Sequence, residues 1–175
     1  NVRDFLVDVD AVISAGPFAI NQNIGKVAAE KEIGYFDLTE DVETTQFIKG
    51  LNPTSIMMPQ CGLAPGAINI CAASMIEEFD KVNEVMMRVG ALPRFTNNEM
   101  SYYLSWSTNG LINEYCNEAD AIYEGKPIKV MPLEGAEKLR VEGESYEAFN
   151  TSGGCATMCE TYAGKVEHLT YKTIR

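Results

Sequence analysis

The sequence lacks several features that would each assign the protein to a broad class. It has no G-x-G-x-x-G motif, so it contains no complete glycine-rich turn for the pyrophosphate of a dinucleotide. It has no apolar run of about 18 residues, which excludes a membrane-spanning helix from the prediction. Residues 1–5 lack the pattern of a signal peptide and the chain starts at Asn1, so we expect a processed or excised piece.

Positive charge is also scarce. Lys and Arg number 14 against 25 Asp and Glu, which gives a net charge of -11. Such an acidic surface repels phosphate backbones, so nucleic acid is not expected as a partner. A dinucleotide remains possible, because backbone N–H groups and helix N-termini can hold it.

The metal-binding residue types are few and scattered. His168 is the only histidine, and the five cysteines form no C-x-x-C pair. Cys155 and Cys159 are four residues apart, which on a helix is one face, but no second ligand pair accompanies them. We therefore predict no metal site, and reduced thiols favour a cytoplasmic protein.

The first 60 residues alternate between strand and helix patterns. Short apolar runs at 10–16, 34–38 and 54–59 predict buried strands, and helical spacing of apolar residues fills the segments between them. This order favours a parallel sheet with right-handed crossovers. Three parallel strands cannot cover both faces and edges alone, so we expect missing sequence on both sides.

The later sequence has a different pattern. Residues 67–76 are apolar nearly all round and predict a buried helix with Pro65 at its first turn. Beyond residue 80, alternation over 100–107, turn signals at 124–127 and 142–145, helices at 109–117 and 155–162, and a last strand at 165–175 predict a mostly antiparallel sheet. We predict an α/β domain over 1–64 followed by an α+β domain over 65–175.

Small and acidic residues follow the predicted parallel strands. Ligands bind at the carboxyl edge of such sheets, where Ser14 to Phe18 and Asp37 to Asp41 would lie. The first segment could equally be a tight turn into a helix. The carboxylates could bind an ammonium group or take a proton, or they could stabilise a helix N-terminus.

Residues 61–66, with the sequence CGLAPG, follow the third strand. Two glycines allow close approach of a ligand, and the next helix offers free N–H groups, although a plain elbow between domains is the alternative. Cys61 has no histidine or cysteine near it in sequence, which favours a packed residue over a nucleophile. Residues 151–154 could form an anion nest or a flexible loop.

Several of these segments together resemble a known group of enzymes, the saccharopine dehydrogenase and lysine 6-dehydrogenase superfamily. The resemblance spans almost the whole chain and keeps the superfamily's order of segments. The matching pieces are 10–17 (DAVISAGP), 35–41 (YFDLTED), 61–66 (CGLAPG), 90–93 (GALP), 104–107 (LSWS) and 172–175 (KTIR).

The resemblance implies a partial Rossmann-type domain, a substrate-binding and dimerisation domain, and hydride transfer between NAD or NADP and a C–N bond of an amino acid. It implies catalytic roles for Asp37 and Glu40, with either a carboxylate or a water accepting the amine proton. The implied cofactor-binding residues are Ala15, Gly16, Pro17, Phe18, Thr39, Gly62, Leu63 and Ala64. The implied substrate-binding residues are Cys61, Pro65, Gly66, Ser105, Trp106, Ser107 and Arg175.

One departure bears on the substrate. Members of the superfamily often carry an arginine shortly after the Ser-Trp-Ser stretch, where this chain has Thr108 and Asn109. An arginine there would suit bidentate carboxylate binding. Its absence favours lysine over saccharopine, although Arg94 could compensate. We expect a homodimer, and the alternative is a non-catalytic dimerisation and substrate-domain module that cannot bind the cofactor as it stands.

Overall fold

The computed structural model describes residues 1–95, 103–104 and 107–175. It divides into two compact units, Asn1–Ala67 and Ile68–Arg175. The predicted division was between residues 64 and 65. Across the described ranges, every helix is too short or too polar to traverse a bilayer.

The first unit is a three-stranded parallel sheet with helices in its crossovers. The strands pair in the order β1-β2-β3, and the register places Ser14 beside Asp37 at one end. This is the predicted alternation of strands and helices. The elements are α1 (Val2–Phe5), β1 (Ala11–Ser14), α2 (Phe18–Glu30), β2 (Gly34–Asp37), α3 (Val42–Lys49) and β3 (Met57–Met58).

Local sequence explains where these elements start and pack. The Asp41 side chain accepts a hydrogen bond from the Thr44 N–H at 2.8 Å, which caps the N-terminus of α3. Ala28 of α2, Tyr35 of β2 and Ile48 of α3 are buried and form the centre of the core. The helices therefore pack on the sheet through small and branched side chains, and the polar residues Asn21, Thr44 and Thr45 are buried as well.

The second unit is a six-stranded mixed sheet with helices. Its path is β6-β5-β9-β8-β7, and β4 pairs in parallel with β9 while every other pairing is antiparallel. The predicted combination of a parallel sheet and a mostly antiparallel sheet is thus confirmed. The elements are α4 (Ala67–Ile76), β4 (Val82–Val89), α5 (Thr108–Cys116), β5 (Ala119–Tyr123), β6 (Lys126–Val130), β7 (Glu137–Val141), β8 (Glu144–Asn150), α6 (Met158–Tyr162) and β9 (Val166–Ile174).

Some elements differ from the prediction. Helix α4 forms where expected, but Ile70 is 72% exposed and Met75 is 63% exposed, so the helix is not buried on all sides. The apolar composition of the helix shows which residues can pack. It does not show how many neighbouring elements of the chain cover them. Strand β4 was not predicted, because its apolar residues are interrupted by Asn83, Glu84 and Arg88. Most of the predicted strand at 100–107 lies outside the described residues.

Candidate functional site

The carboxyl ends of the three parallel strands meet around Asp37. Ser14 and Asp37 end adjacent strands in register. The backbone N–H of Gln60 donates to Asp37 Oδ1 at 3.2 Å, and the N–H of Cys61 donates to the Asp37 carbonyl oxygen at 2.7 Å. The loops that follow β1, β2 and β3 are therefore held at one edge of the sheet, where ligands of parallel sheets bind.

The Asp37 carboxylate is completely buried and accepts three hydrogen bonds. Besides Gln60, it accepts from the Tyr35 hydroxyl at 2.6 Å and from the Thr39 N–H at 2.9 Å. Burial and the Asp37 charge raise the pKa of Tyr35, so the phenol stays protonated and donates. Three donors on a carboxylate with no exposed surface suit a group that holds the edge together. Its catalytic role stays a prediction.

A second buried polar pair lies beside this carboxylate. The Ser14 hydroxyl donates to Asn21 Oδ1 at 2.7 Å, and the Tyr35 hydroxyl is 3.3 Å from the Asn21 carbonyl oxygen. Asn21 is fully buried, and its Nδ2 has no hydrogen-bond partner among the described residues. The sequence analysis missed Asn21 and Tyr35. A polar residue on the apolar face of α2 was the available signal for Asn21.

Glu40 is the half-buried acid of this edge. Burial is the main cause that raises the pKa of its carboxyl. A hydrogen bond with its own backbone N–H lowers this pKa, and the charges of Asp41 and Asp37 raise it. Its Oε1 atom is buried without a hydrogen-bond partner in the part of the chain that the structure describes. Thr39 is buried, and its hydroxyl accepts from the Asp41 N–H at 3.2 Å. Glu40 therefore holds a proton more readily than an exposed glutamate does.

The loop at 61–66 closes on itself. The Gly62 N–H donates to the Pro65 carbonyl at 2.9 Å, and the Ala67 N–H donates to the Gly62 carbonyl at 2.8 Å. Gly66 has φ +141°, and a Cβ there would lie 2.1 Å from the Gly62 oxygen. The close approach that Gly66 permits is thus between two parts of this loop. The Ala67 N–H at the start of α4 is already paired.

Other predicted site residues of this unit lie in the same loops with different accessibility. Leu63 is 63% exposed, and Ala15 and Pro17 are also exposed. Gly16 and Phe18 are half-buried where α2 begins. Cys61 is exposed, and partial desolvation followed by the Asp37 charge raises the pKa of its thiol. A thiol with a raised pKa is a poor nucleophile, as expected, but the exposed position of Cys61 differs from the packed one that the sequence predicted.

In the second unit, the predicted residues near 105–107 are only partly described. Ser105 and Trp106 lie outside the described residues. The Ser107 hydroxyl accepts from the Gly110 N–H at 3.1 Å and so caps the N-terminus of α5. This contact gives Ser107 a structural task that its predicted substrate-binding role did not include.

Arg175 continues the ladder of β9 and stacks on aromatic rings. Its N–H and carbonyl both pair with the backbone of Glu147 at 2.6 Å. Its guanidinium carbon lies 4.6 Å from the ring centroid of Tyr115 and 5.7 Å from that of Phe149. The sequence analysis predicted Arg175 as a substrate-binding residue but missed Tyr115 and Phe149, because a helix and a neighbouring strand supply them.

The segment 151–154 contacts the last turn of α5. Thr151 and Ser152 are buried. The Ser152 N–H donates to the Glu114 carbonyl at 3.0 Å, and its hydroxyl donates to the Asn113 carbonyl at 3.1 Å. These donors satisfy carbonyl groups in the last turn of α5, so the segment anchors that helix.

Comparisons with known proteins relate this chain to a protein family. Residues 62–175, more than half of the chain, match the sequence model of the saccharopine dehydrogenase C-terminal domain. The chain belongs to the saccharopine dehydrogenase C-terminal domain family. The predicted resemblance to saccharopine dehydrogenases is therefore confirmed at the level of the family.

A solved structure extends the likeness of the fold to both units. The chain is similar to the apo histidine-tagged saccharopine dehydrogenase (L-Glu forming) from Saccharomyces cerevisiae, with a TM-score of 0.71 and 22% sequence identity. The match covers 99% of this chain and 42% of that chain. The protein described here thus spans less than half the length of that enzyme.

Proposed function

We propose that this protein functions as an NAD- or NADP-dependent oxidoreductase that acts on a C–N bond of an amino acid. The proposed type is a lysine 6-dehydrogenase or a saccharopine dehydrogenase. Its membership of the saccharopine dehydrogenase C-terminal domain family supports the reaction class. The observation that carries the proposal is the convergence of three strand ends on Asp37, at the carboxyl edge of a parallel sheet.

The loops at this edge suit the nicotinamide end of a cofactor. Ala15, Pro17 and Leu63 leave backbone and apolar surface exposed there, which fits a flat ring and its ribose. Residues 15–18, 38–41 and 59–66 contain no Lys or Arg, so these loops offer no cation for a pyrophosphate. Ala15, Gly16, Pro17, Phe18, Thr39, Gly62, Leu63 and Ala64 would hold the nicotinamide portion.

The chemistry divides between the cofactor and the side chains. A bound nicotinamide would accept or supply the hydride. Glu40 has a raised pKa and a buried Oε1 without a partner among the described residues, so it is suited to exchange a proton with the substrate amine. Asp37 would position the Thr39 loop through the hydrogen bond to its N–H. A water remains the alternative acceptor for the amine proton.

An amino acid also presents a carboxylate, for which Arg175 is the proposed partner. A guanidinium presents a planar pair of donors that matches a carboxylate. Thr108 and Asn109 supply no second arginine, which favours lysine over the more anionic saccharopine. Cys61, Pro65, Gly66, Ser105, Trp106 and Ser107 complete the proposed substrate-binding set.

The test is a spectroscopic assay of the full-length gene product. We expect nicotinamide reduction with L-lysine or saccharopine as the amine substrate. Glu40→Gln should lower turnover by about 100-fold if the carboxyl transfers the proton. Glu43→Gln, on the exposed first turn of α3, is the matched control and should leave turnover unchanged. Absence of reduction with either amine and either cofactor would contradict the proposal.

The second candidate function is a dimerisation and substrate-domain module that does not bind the cofactor by itself. The start of the family match at residue 62, after the parallel sheet, favours it. We expect no measurable NAD binding by the 175-residue chain in calorimetry. A dissociation constant of about 1 μM would contradict this expectation and favour the hypothesis that this chain acts as an enzyme.

We also propose that the second unit forms a homodimer. Tyr123, Ile128 and Met86 lie on one face of the sheet by register, and Tyr123 and Met86 are more than half exposed. Exposed apolar side chains that share one face of a sheet are typical of interaction surfaces. Light scattering should give twice the chain mass for the wild type and a monomer for Met86→Glu. A monomeric wild type would contradict the proposal.

A further inference from the structure

Arg175 lies in an aromatic cluster whose two rings also contact each other. The Tyr115 and Phe149 ring centroids are 5.8 Å apart with an interplanar angle of 59°, a tilted geometry that aromatic pairs favour. The guanidinium lies within 6 Å of both centroids, where a cation is attracted to the negative face of each ring. The cluster thus restricts the orientation of the guanidinium plane.

Each member of the cluster is held by its own backbone contacts. Phe149 pairs with Thr173 across β8 and β9, and Arg175 pairs with Glu147 two residues further along the same ladder. Tyr115 lies in the last turn of α5, where Ser152 donates to the carbonyl groups of the two preceding residues. Binding groups on such supported elements keep their geometry better than groups on free loops do.

The hydroxyl of Tyr115 is the unusual member. Its oxygen is buried, and it has no hydrogen-bond partner among the residues that the structure describes. An unpaired buried hydroxyl costs stability, because its hydrogen bonds to water are lost and not replaced. Phenylalanine would stack equally well on Phe149 without this cost. This hydroxyl belongs to a ring on which a guanidinium stacks, and it therefore points to an anionic acceptor supplied by a ligand.

We propose that Tyr115 is a specificity-determining residue that completes a carboxylate site with Arg175. Its ring positions the guanidinium, and its hydroxyl donates to a carboxylate that the guanidinium binds. This inference deepens the proposed function, on which it rests, by assigning a group that recognises the carboxylate of the amino-acid substrate. The planar fork of arginine and one added O–H suit a planar carboxylate.

The test measures glutarate binding to the 175-residue chain by isothermal titration calorimetry. Tyr115→Phe removes only the hydroxyl, and we expect it to weaken binding by about tenfold, the value of one hydrogen bond to a charged group. Tyr146→Phe is the matched control, because Tyr146 lies on the opposite face of β8 from Phe149. Arg175→Ala should abolish binding.

The outcomes separate a ligand contact from a structural role. If Tyr115→Phe changes the free energy of unfolding but not the glutarate affinity, the hydroxyl serves the fold and the inference is overturned. Equal affinities of the wild type, Tyr115→Phe and Tyr146→Phe overturn it as well, as does a wild type that does not bind glutarate. Pentane-1,5-diamine, which has no carboxylate, should not bind. If the diamine binds and Arg175→Ala abolishes that binding, the carboxylate assignment is contradicted.

A kinetic measurement keeps this inference distinct from the proposed function. In the active full-length protein, Tyr115→Phe should raise KM for the amino acid several-fold with a smaller effect on kcat, and KM for the nicotinamide cofactor should not change. An absence of dehydrogenase activity together with hydroxyl-dependent glutarate binding would overturn the oxidoreductase proposal while supporting the carboxylate site. Dehydrogenase activity together with an unchanged amino-acid KM in Tyr115→Phe would support the oxidoreductase proposal and overturn the carboxylate site.

Discussion

The thiol of Cys155 donates a hydrogen bond to the carbonyl oxygen of Asp120 at 3.1 Å, where strands β5 and β9 separate. Ile122 and Leu169 form the antiparallel pair of these strands, and Asp120 and Tyr171 lie two residues along from it on their strands. The backbone of Tyr171 lowers the pKa of the Cys155 thiol. A hydrogen bond with Cys159, together with burial, raises the pKa of Cys155 well above its usual value and keeps the thiol protonated as a donor.

This relationship predicts a stability cost for removing the thiol. Cys155→Ala should lower the free energy of unfolding by about 2 kcal/mol, because it removes a buried side chain and its hydrogen bond to the Asp120 carbonyl. Urea unfolding measures the change. Cys116→Ala, at an exposed cysteine, is the control and should stay within about 0.5 kcal/mol of the wild type. Equal effects of the two variants would refute the structural role of Cys155.

Gly66 should tolerate no side chain. Its φ of +141° is strained for other residues, and a Cβ would overlap the Gly62 carbonyl oxygen at 2.1 Å. We expect Gly66→Ala to lower the free energy of unfolding by more than about 2 kcal/mol. Gly143→Ala is the control, because it also has a positive φ, of +92°, but no atom within 4 Å of the added Cβ. If both variants lose the same stability, the contact with Gly62 is unimportant.

Glu137 should make stability fall at acid pH. Hydrogen bonds from Arg88 and Lys172 lower its pKa, with Lys172 Nζ 2.6 Å from the carboxylate. A carboxyl with a lowered folded-state pKa stabilises the fold above its unfolded pKa and loses that contribution as pH falls through the folded value. Stability against pH should therefore decline below about pH 4.5, the ordinary value for glutamate. Glu137→Gln should flatten this decline, and an unchanged profile would contradict the ion pair.

Glu40 should act in the opposite direction. Its pKa is raised by burial, so the folded state binds its proton more tightly than the unfolded state does. Stability from this group is present below the unfolded pKa and falls as pH rises through the folded pKa. Glu40→Gln, which has nearly the same shape, should therefore raise the free energy of unfolding at neutral pH and change little at acid pH. A destabilised variant at neutral pH would show that the charged form is favoured.

The sequence predicted the fold better than the site. Hydrophobic periodicity located the parallel strands and the final strand, because alternation and apolar runs are local properties of the chain. It missed β4, whose apolar residues are interrupted by Glu84 and Arg88. Arg88 pairs with Glu137 from a strand about 50 residues away, a contact that no local pattern indicates.

The sequence by itself determined the segments available to a site, because Gly, Pro and acidic residues at strand ends are visible in one dimension. Only the tertiary structure decided what each residue does there. It placed three donors on Asp37, left Glu40 Oε1 without one among the described residues, and brought Tyr115 against Arg175. Burial and hydrogen-bond partners depend on residues far apart in the chain, and these set the charge and the proton affinity of a side chain.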